Sequence, residues 1–183
     1  MKITPTRFDG LYVIEPTVFH DQRGFFYESY HEQKLAEVIK DLPTFVQDNH
    51  SLSSKYVLRG MHLQKPPYEQ VKIVRAIQGE VLDVVVDVRK SSKTFGEYYK
   101  IVLSAENRKQ LYIPAGFAHG ILTLSDTLEF AYKCSRFYHP DTESGLAFDD
   151  PDINIDWGVP HEKFIISDKD IELRKNTIQS LNL

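Results

Sequence analysis

Short apolar runs with a period of two residues are the feature that most constrains the fold of this chain. In the clearest run, residues 81–89, leucine and valine at the even positions form one face of a strand, and Asp83, Asp87 and Arg89 fall on the other. Similar runs lie at 10–15, 71–77, 98–103, 110–113, 120–124 and 128–133. Turn-forming segments rich in Gly, Pro, Ser and Asn separate them. Many short strands at this spacing predict an all-β sandwich or barrel.

Helical patterns are confined to two short segments. Residues 31–40 place Leu35, Val38 and Ile39 at helical spacing, and Ser167 precedes acidic residues as a helix N-cap does. The 183 residues contain no internal repeat and no linker-like stretch, and this length suits one domain. We therefore expect a single β-rich domain over 1–183 with short flanking helices.

Charge and composition exclude several classes of partner. The 22 basic and 26 acidic residues give a net charge of −4, so the chain has no overall basic footprint for a nucleic acid. No stretch approaches the roughly 20 apolar residues that span a bilayer, and the N-terminus lacks the apolar core of a secretory signal. The single cysteine, Cys134, excludes an internal disulfide. We expect a cytoplasmic protein without a nucleic-acid or membrane partner.

Two histidines stand in segments that resemble the paired motifs of cupin barrels. The first segment is His62-Leu63-Gln64, and the second, residues 114–120, contains His119. In metal-binding cupins three histidines and a glutamate hold the ion, whereas here Gln64 replaces a histidine and Glu69 lies further along than that pattern asks. Glutamine is a poor ligand for zinc, iron or copper. The pattern favours a barrel whose histidines are free for acid–base chemistry.

Other polar side chains fit either a structural or a chemical role. On a strand over 71–77, Lys72 shares a face with Val74, which puts the lysine either in solvent or in a polar cavity of the barrel. Tyr132 is either a half-buried packing residue or a proton donor. Residues 21–30 and 45–51 have the patterns of a strand and a polar loop, yet their arginine, amide and aromatic side chains also suit a nucleotide.

Taken together, these segments resemble the dTDP-4-dehydrorhamnose 3,5-epimerases over nearly the whole chain. The matching segments, in order, are 21–26, 45–49, 58–62, 72–75, 86–90, 113–120, 132–133, Trp157 and 166–170. The resemblance implies a cupin-type double-stranded β-helix, a jelly-roll barrel, that works as a homodimer with shared active sites and without a metal or a cofactor. It implies an epimerase of dTDP-rhamnose biosynthesis that inverts C3 and C5 of dTDP-4-dehydro-6-deoxyglucose to give dTDP-4-dehydrorhamnose.

The resemblance also implies roles in proton transfer. His62 corresponds to the base, Asp170 to its carboxylate partner, and Tyr132 to the acid that returns a proton on the opposite face of the sugar. Lys72 would lie near the C4 ketone oxygen as that oxygen becomes an enolate. The ketone makes the protons at C3 and C5 removable, so no redox cofactor is expected. A helix-capping acid is the alternative reading of Asp170.

The implied substrate-binding set is larger. Its members are Arg23 and Glu28 from the partner subunit, with Gln47, Asp48, Asn49, Arg59, Lys72, His119, Tyr138, Glu143 and Lys169. Lys72 and His119 would line the sugar site, and Tyr138 would stack on or close over the sugar. The chain departs from the family pattern at Leu63, where an aromatic residue is common, and at Val71, where glycine is common. Both departures bear on the shape of the cavity next to Lys72.

Three other functions stay open at this stage. The first is an epimerase that inverts only C3 or only C5 of a related nucleotide 4-keto-6-deoxysugar. The second is a metal-dependent cupin, an oxygenase or isomerase that uses His62 and His119. The third is a sugar-binding cupin without catalytic activity.

Overall fold

Strands make up most of the regular structure of the computed structural model, which describes residues 1–181. The strands are β1 Lys2–Pro5, β2 Tyr12–Glu15, β3 Phe19–Asp21, β4 Gly24–Phe26, β5 Gln47–Ser54, β6 Val57–Gln64, β7 Lys72–Gln78, β8 Glu80–Asp87, β9 Tyr98–Ser104, β10 Gln110–Ile113, β11 Phe117–Thr123, β12 Thr127–Cys134, β13 Glu143–Gly145 and β14 Ile165–Ile166. The helices are α1 Glu32–Ala36 and α2 Asp168–Glu172, with 3₁₀ turns at Pro140–Thr142, His161–Lys163 and Leu173–Lys175. The prediction of an all-β fold with short flanking helices is confirmed.

Two antiparallel sheets face each other and enclose the interior. The first sheet has the strand order β1-β2-β10-β7-β12-β5, and the second has the order β13-β6-β11-β8-β9. Strand β14 adds to β6 in parallel, and β3 and β4 form a separate hairpin. This is the predicted jelly-roll arrangement, with facing sheets that do not close into a continuous barrel.

Apolar side chains fill one end of the space between the sheets. Val74 and Phe130 of the first sheet pack there with Val85 and Ile121 of the second. Along β7 and β12 the inward positions then change character, because Lys72 and Tyr132 continue the faces of Val74 and Phe130. The same strand faces therefore supply an apolar core at one end and a polar cavity at the other.

All seven predicted strands are present, and all except 110–113 have shifted ends. Residues 10–15 contain β2, 71–77 correspond to β7, 81–89 to β8, 98–103 to β9, 110–113 to β10, 120–124 to β11 and 128–133 to β12. Of the two readings of 45–51, the polar loop is wrong from Gln47 onward, because β5 begins there and pairs along its length with β12. The predicted helix over 31–40 is shorter than expected and ends at Ala36. Of its three predicted apolar-face residues, Leu35 and Ile39 are buried, whereas Val38 is exposed.

Strand β8, which lies between β11 and β9, is buried on both faces, which the alternation did not predict. Its even positions, including Val84 and Val86, pack against Trp157 and the C-terminal segment. Its odd positions turn toward the first sheet, and Asp83 and Asp87 are completely buried there. A strand with acidic residues on one face normally exposes that face to solvent. Because these two carboxylates are buried instead, each needs a hydrogen-bond or ionic partner.

Within residues 1–181 no helix is long and apolar enough to cross a membrane. The cytoplasmic location stays a prediction.

Candidate active site

The polar end of the interior is a cavity of about 360 Å³ between the two sheets. His62 and His119 line it from the second sheet, and Lys72 and Tyr132 line it from the first. A neighbouring space of about 230 Å³ shares His62, Lys72 and Tyr132 and opens toward the surface. The sequence-predicted acid–base residues are therefore brought together around one cavity.

His62 is held by a buried carboxylate. Its Nε2 lies 2.5 Å from Oδ1 of Asp170, whose side chain is 5% exposed. Oδ2 of the same carboxylate accepts the backbone N–H of Gly60 at 3.2 Å. Burial alone would raise the pKa of Asp170, but these hydrogen bonds outweigh it and hold the pKa below its usual value. Asp170 therefore stays ionised and leaves Nδ1 of His62 to exchange protons.

Local structure explains how Asp170 reaches His62. Ser167 caps α2 by accepting the N–H of Asp170 at 3.2 Å, as predicted from the sequence. Helix α2 lies beside β6. Asp170 is the third residue of this helix, and its carboxylate contacts Gly60 and His62 of that strand. Asp170 thus both completes a capped first turn and binds His62, so the two readings of this residue are compatible.

Two glycines let β6 and β11 approach each other beside the histidines. A Cβ on Gly60, whose φ is +127°, would lie 2.6 Å from the Cα of Gly120. A Cβ on Gly120 would lie 2.4 Å from the sulfur of Met61. The close approach sets His62 directly opposite His119 in the strand register. Any larger residue at either glycine would separate the two imidazoles.

A second histidine–carboxylate pair faces the first. Nε2 of His119 lies 2.9 Å from Oδ2 of Asp83, which is fully buried, while Oδ1 of Asp83 has no hydrogen-bond partner among the described residues. Asp83 was not among the site residues predicted from the sequence. An acidic residue inside the apolar run 81–88 was the available signal, because such a residue is buried only with a partner.

Tyr132 faces His62 from the opposite sheet. It follows Phe130 on the inward face of β12, and their ring centroids are 6.3 Å apart. Burial raises the pKa of Tyr132, so the phenol keeps its proton at neutral pH. A protonated acid therefore lies across the cavity from the histidine.

Lys72 lies in the cavity rather than on a solvent face, which decides between the two predicted alternatives. Its Nζ is 5.8 Å from the centroid of the Tyr132 ring. Burial lowers the pKa of Lys72, and the negative charges of Asp83 and Glu143 oppose that shift. The protonation of this amine therefore depends on its acidic neighbours.

Hydrogen bonds join three polar side chains at the mouth of the cavity. The hydroxyl of Tyr138 donates to Oε2 of Glu143 at 2.5 Å, and Nζ of Lys169 donates to the same oxygen at 2.7 Å. The hydrogen bond to Glu143 raises the pKa values of both Tyr138 and Lys169. Arg59 also lines the cavity, and its Nε donates to Oγ of Ser53 at 3.1 Å.

Strand alternation separates the three consecutive polar residues at the start of β5. Gln47 and Asn49 face the cavity, where the Gln47 amide donates to Oδ1 of Asn49 at 3.0 Å. Asp48 points to the other side and pairs with Lys133 at 2.9 Å. Asp48 therefore does not line this cavity in its own chain and instead lines a separate depression beside Arg75 and Lys133.

Arg23 and Glu28 lie outside the cavity of their own chain. Arg23, at the turn of the β3–β4 hairpin, is 85% exposed and pairs with Asp21 at 2.5 Å. Glu28 bonds to Lys34. The hairpin also exposes Phe19 and Phe26, at 60% and 67% of their surface.

The donor set of the cavity does not form a metal-binding cluster. Among residues 1–181 no three His, Cys, Asp or Glu side chains converge as ligands. Nε2 of each cavity histidine is bonded to a carboxylate, and the Gln64 amide is bonded to the backbone of His139.

Comparisons with known proteins agree with this arrangement. The profile of the dTDP-4-dehydrorhamnose 3,5-epimerase family matches residues 5–177. The dTDP-4-dehydrorhamnose 3,5-epimerase of Shigella flexneri is 49% identical over 175 residues, which cover 96% of each chain.

Solved structures agree with the sequence matches. The crystal structure of the same enzyme from Elizabethkingia anophelis is 50% identical, covers 93% of both chains and superposes with a TM-score of 0.90. The dTDP-6-deoxy-D-glucose-3,5-epimerase of Legionella pneumophila, solved in complex with dTDP-4-keto-L-rhamnose, is 42% identical, covers 99% of this chain and 94% of that one, and gives a TM-score of 0.93. The sequence, the fold and the cavity lead to one conclusion: the chain belongs to the dTDP-4-dehydrorhamnose 3,5-epimerase family.

Proposed function

We propose that this protein inverts C3 and C5 of dTDP-4-dehydro-6-deoxyglucose to give dTDP-4-dehydrorhamnose. One observation carries the proposal: His62 comes from one sheet and Tyr132 from the facing sheet, with the cavity between them. Inversion requires removal of a proton from one face of the sugar and delivery to the other, because a single group would return the proton where it was taken. The Legionella pneumophila enzyme was solved in complex with dTDP-4-keto-L-rhamnose, the compound that this double inversion would produce.

His62 is the proposed base at both carbons. The C4 ketone stabilises the carbanion at C3 or C5 as an enolate, and Nδ1 of His62 takes the proton. Asp170, bonded to Nε2, stabilises the imidazolium that results. Positioned proton transfer of this kind contributes about 10²–10⁴-fold to the rate.

Lys72 is the proposed stabiliser of the enolate oxygen. A fixed donor at a developing oxyanion contributes about 10²–10³-fold, provided that it is charged or a strong donor when the enolate forms. Asp83 supports this by placing a negative charge near Lys72 and by binding His119 at 2.9 Å. His119 and Asp83 thereby complete the inner wall of the sugar site.

Tyr132 is the proposed acid. Its raised pKa keeps the phenol protonated, and its place on the first sheet sets it opposite His62. Delivery of its proton to the enolate carbon completes inversion, after which solvent restores the phenol. The same pair would act at C3 and at C5 in turn.

The nucleotide would bind at the mouth of the cavity. Arg59 and Lys169 are cations beside the cavity and suit the diphosphate. Gln47 and Asn49 offer amide groups, and Tyr138 offers a ring for stacking, next to Glu143. Residues 1–183 would act as one unit, since both sheets contribute to this single site.

We infer that Arg23 and Glu28 serve the site of a partner subunit in a homodimer. The supporting observation is the β3–β4 hairpin, which exposes two phenylalanines beside an arginine whose ionic partner among residues 1–181 is Asp21 of the same hairpin. An exposed strand edge with apolar side chains normally needs a cover.

Mixed dimers test this assignment. At a substrate concentration well below KM, Arg23→Ala chains should be nearly inactive because they bind the substrate weakly, and His62→Ala chains because they lack the base. Equal amounts of the two would form heterodimers that contain one intact site. Random pairing restores about a quarter of the wild-type sites. If Arg23 acts within its own chain, no activity returns.

The product tests the reaction itself. Incubation with dTDP-4-dehydro-6-deoxyglucose, followed by NMR of the sugar ring, should give the configuration of dTDP-4-dehydrorhamnose. His62→Ala should give none. Inversion at one carbon only would replace the proposal with a single-site epimerase.

A further inference from the structure

The loop 135–142 crosses the mouth of the cavity from one sheet to the other. It leaves β12 of the first sheet after Cys134 and enters β13 of the second sheet at Glu143. It carries Tyr138, whose hydroxyl binds Glu143 beside Lys169. The position of this loop therefore decides where the proposed stacking residue stands relative to the sugar.

Backbone hydrogen bonds hold the two ends of this loop, where the N–H of Ser135 donates to the carbonyl of Val71 at 3.0 Å and the carbonyl of Thr142 accepts the N–H of Lys65 at 2.8 Å. Side-chain amides hold its middle. Nε2 of Gln70 donates to the carbonyl of Arg136 at 2.9 Å, and Oε1 of Gln47 accepts the N–H of Tyr138 at 3.0 Å. Gln64 binds His139 twice, because its Oε1 accepts the N–H at 2.7 Å and its Nε2 donates to the carbonyl at 2.9 Å.

The three glutamines come from both walls of the cavity. Gln47 opens β5 and Gln70 precedes β7, both in the first sheet, while Gln64 closes β6 in the second. The three glutamines thus bind four backbone groups of the loop: the carbonyl of Arg136, the N–H of Tyr138, and the N–H and carbonyl of His139. These bonds tie the loop to the two sheets that carry the base and the acid. A backbone N–H or carbonyl that loses its partner here costs free energy comparable to that of a hydrogen bond. Each glutamine amide therefore stabilises the loop in this position.

Gln64 is the most constrained member. It is 7% exposed and lies two residues beyond His62, on the same face of β6. Both N–H groups of its amide are used, because Nε2 also lies 3.2 Å from Oγ1 of Thr142. All three of its hydrogen bonds go to the segment 139–142, which makes Gln64 a positioning residue for the loop.

We propose that Gln47, Gln64 and Gln70 form an amide clamp that fixes the loop 135–142 over the sugar site and thereby retains the nucleotide sugar. The clamp acts through Tyr138 and Glu143 on binding and leaves proton transfer by His62 and Tyr132 unchanged. The role in retention rests on the proposed function; the clamp itself does not.

Gln64→Met is the test, because methionine keeps the length of the side chain and removes its three hydrogen bonds. In the unliganded protein, amide hydrogen exchange of the 135–142 peptide should accelerate at least about tenfold, while exchange in β8 stays unchanged. KM for dTDP-4-dehydro-6-deoxyglucose should rise about tenfold or more, with kcat within about twofold of wild type.

Asn107→Ala is the matched control. Its amide also satisfies loop backbone groups, since Oδ1 accepts the N–H of Ser104 at 3.1 Å and of Lys109 at 2.9 Å, away from the cavity. This variant should loosen its own loop and leave KM unchanged. Gln70→Met, at a partly exposed position, provides a milder version of the test if Gln64→Met does not fold.

Each result has a definite meaning. Unchanged exchange in the loop would overturn the clamp, whatever the protein catalyses. Faster exchange with an unchanged KM, or a fall in kcat at constant KM, would overturn its role in substrate retention. If the wild-type protein does not turn over the substrate at all, the proposed function fails while the exchange data still decide the clamp.

Discussion

Replacement of Asp170 by asparagine probes the base most sharply. The carboxylate accepts Nε2 of His62 at 2.5 Å and the N–H of Gly60 at 3.2 Å, and it is almost fully buried. Asparagine keeps the shape but has one acceptor and no charge, so it cannot stabilise an imidazolium. A charge-assisted hydrogen bond is worth about 1.5–3 kcal/mol. At about 1.4 kcal/mol per tenfold, kcat should fall about 10–150-fold.

The assay is a continuous measurement of product by a coupled reductase, with KM and kcat determined separately. KM should change little, because Asp170 acts through His62 and contacts the substrate in no proposed step. Asp87→Asn is the matched control. It is an equally buried carboxylate, bonded to Arg89, Ser92 and Thr94 at the far end of β8. Its kcat should stay within about twofold of wild type.

Stability gives an independent readout of the same substitution. The pKa of Asp170 is depressed in the folded protein, so its contribution is present above the unfolded pKa of about 3.9 and disappears as pH falls through the folded value. Asp170→Asn should therefore be less stable than wild type at pH 7, and the difference should shrink below about pH 4. An unchanged kcat in Asp170→Asn, or an equal fall of kcat in Asp87→Asn, would refute the role assigned to Asp170.

Two further substitutions test the groups around the base. Tyr132→Phe should allow proton exchange at C3 but reduce net inversion about 10²–10⁴-fold, as measured by deuterium wash-in against product formation; equal loss of both would contradict an acid role. Asp83→Asn removes a negative charge that opposes the lowered pKa of Lys72. The alkaline limb of the kcat profile should therefore move to lower pH, while Asp87→Asn leaves it in place; an unmoved limb would disconnect Asp83 from Lys72.

The sequence predicted the parts of the fold that local patterns determine. Strands such as β7 and β12 alternate clearly, and alternation correctly placed Lys72 beside Val74 and Tyr132 beside Phe130. It could not say whether that shared face met solvent or the facing sheet, because this depends on tertiary packing. The location of Lys72 in the cavity was decided only by the structure.

Local sequence patterns could not predict features that depend on tertiary or subunit contacts. Strand β5 has too few apolar residues to signal a strand, since its inward side chains line a polar cavity. Asp83 pairs with a histidine 36 positions away, and the pairing depends on the register of β8 and β11. Arg23 and Glu28 remain predictions, because a single chain does not bring them to its own cavity.

The most direct test of a shared base and acid is turnover of dTDP-4-dehydro-6-deoxyglucose in D₂O, with deuterium at C3 and C5 of the product read by NMR. The account predicts inverted dTDP-4-dehydrorhamnose that carries deuterium at both carbons, because His62 and Tyr132 exchange protons with solvent at each. Deuterium at one carbon only, or inversion without deuterium at either, would contradict it.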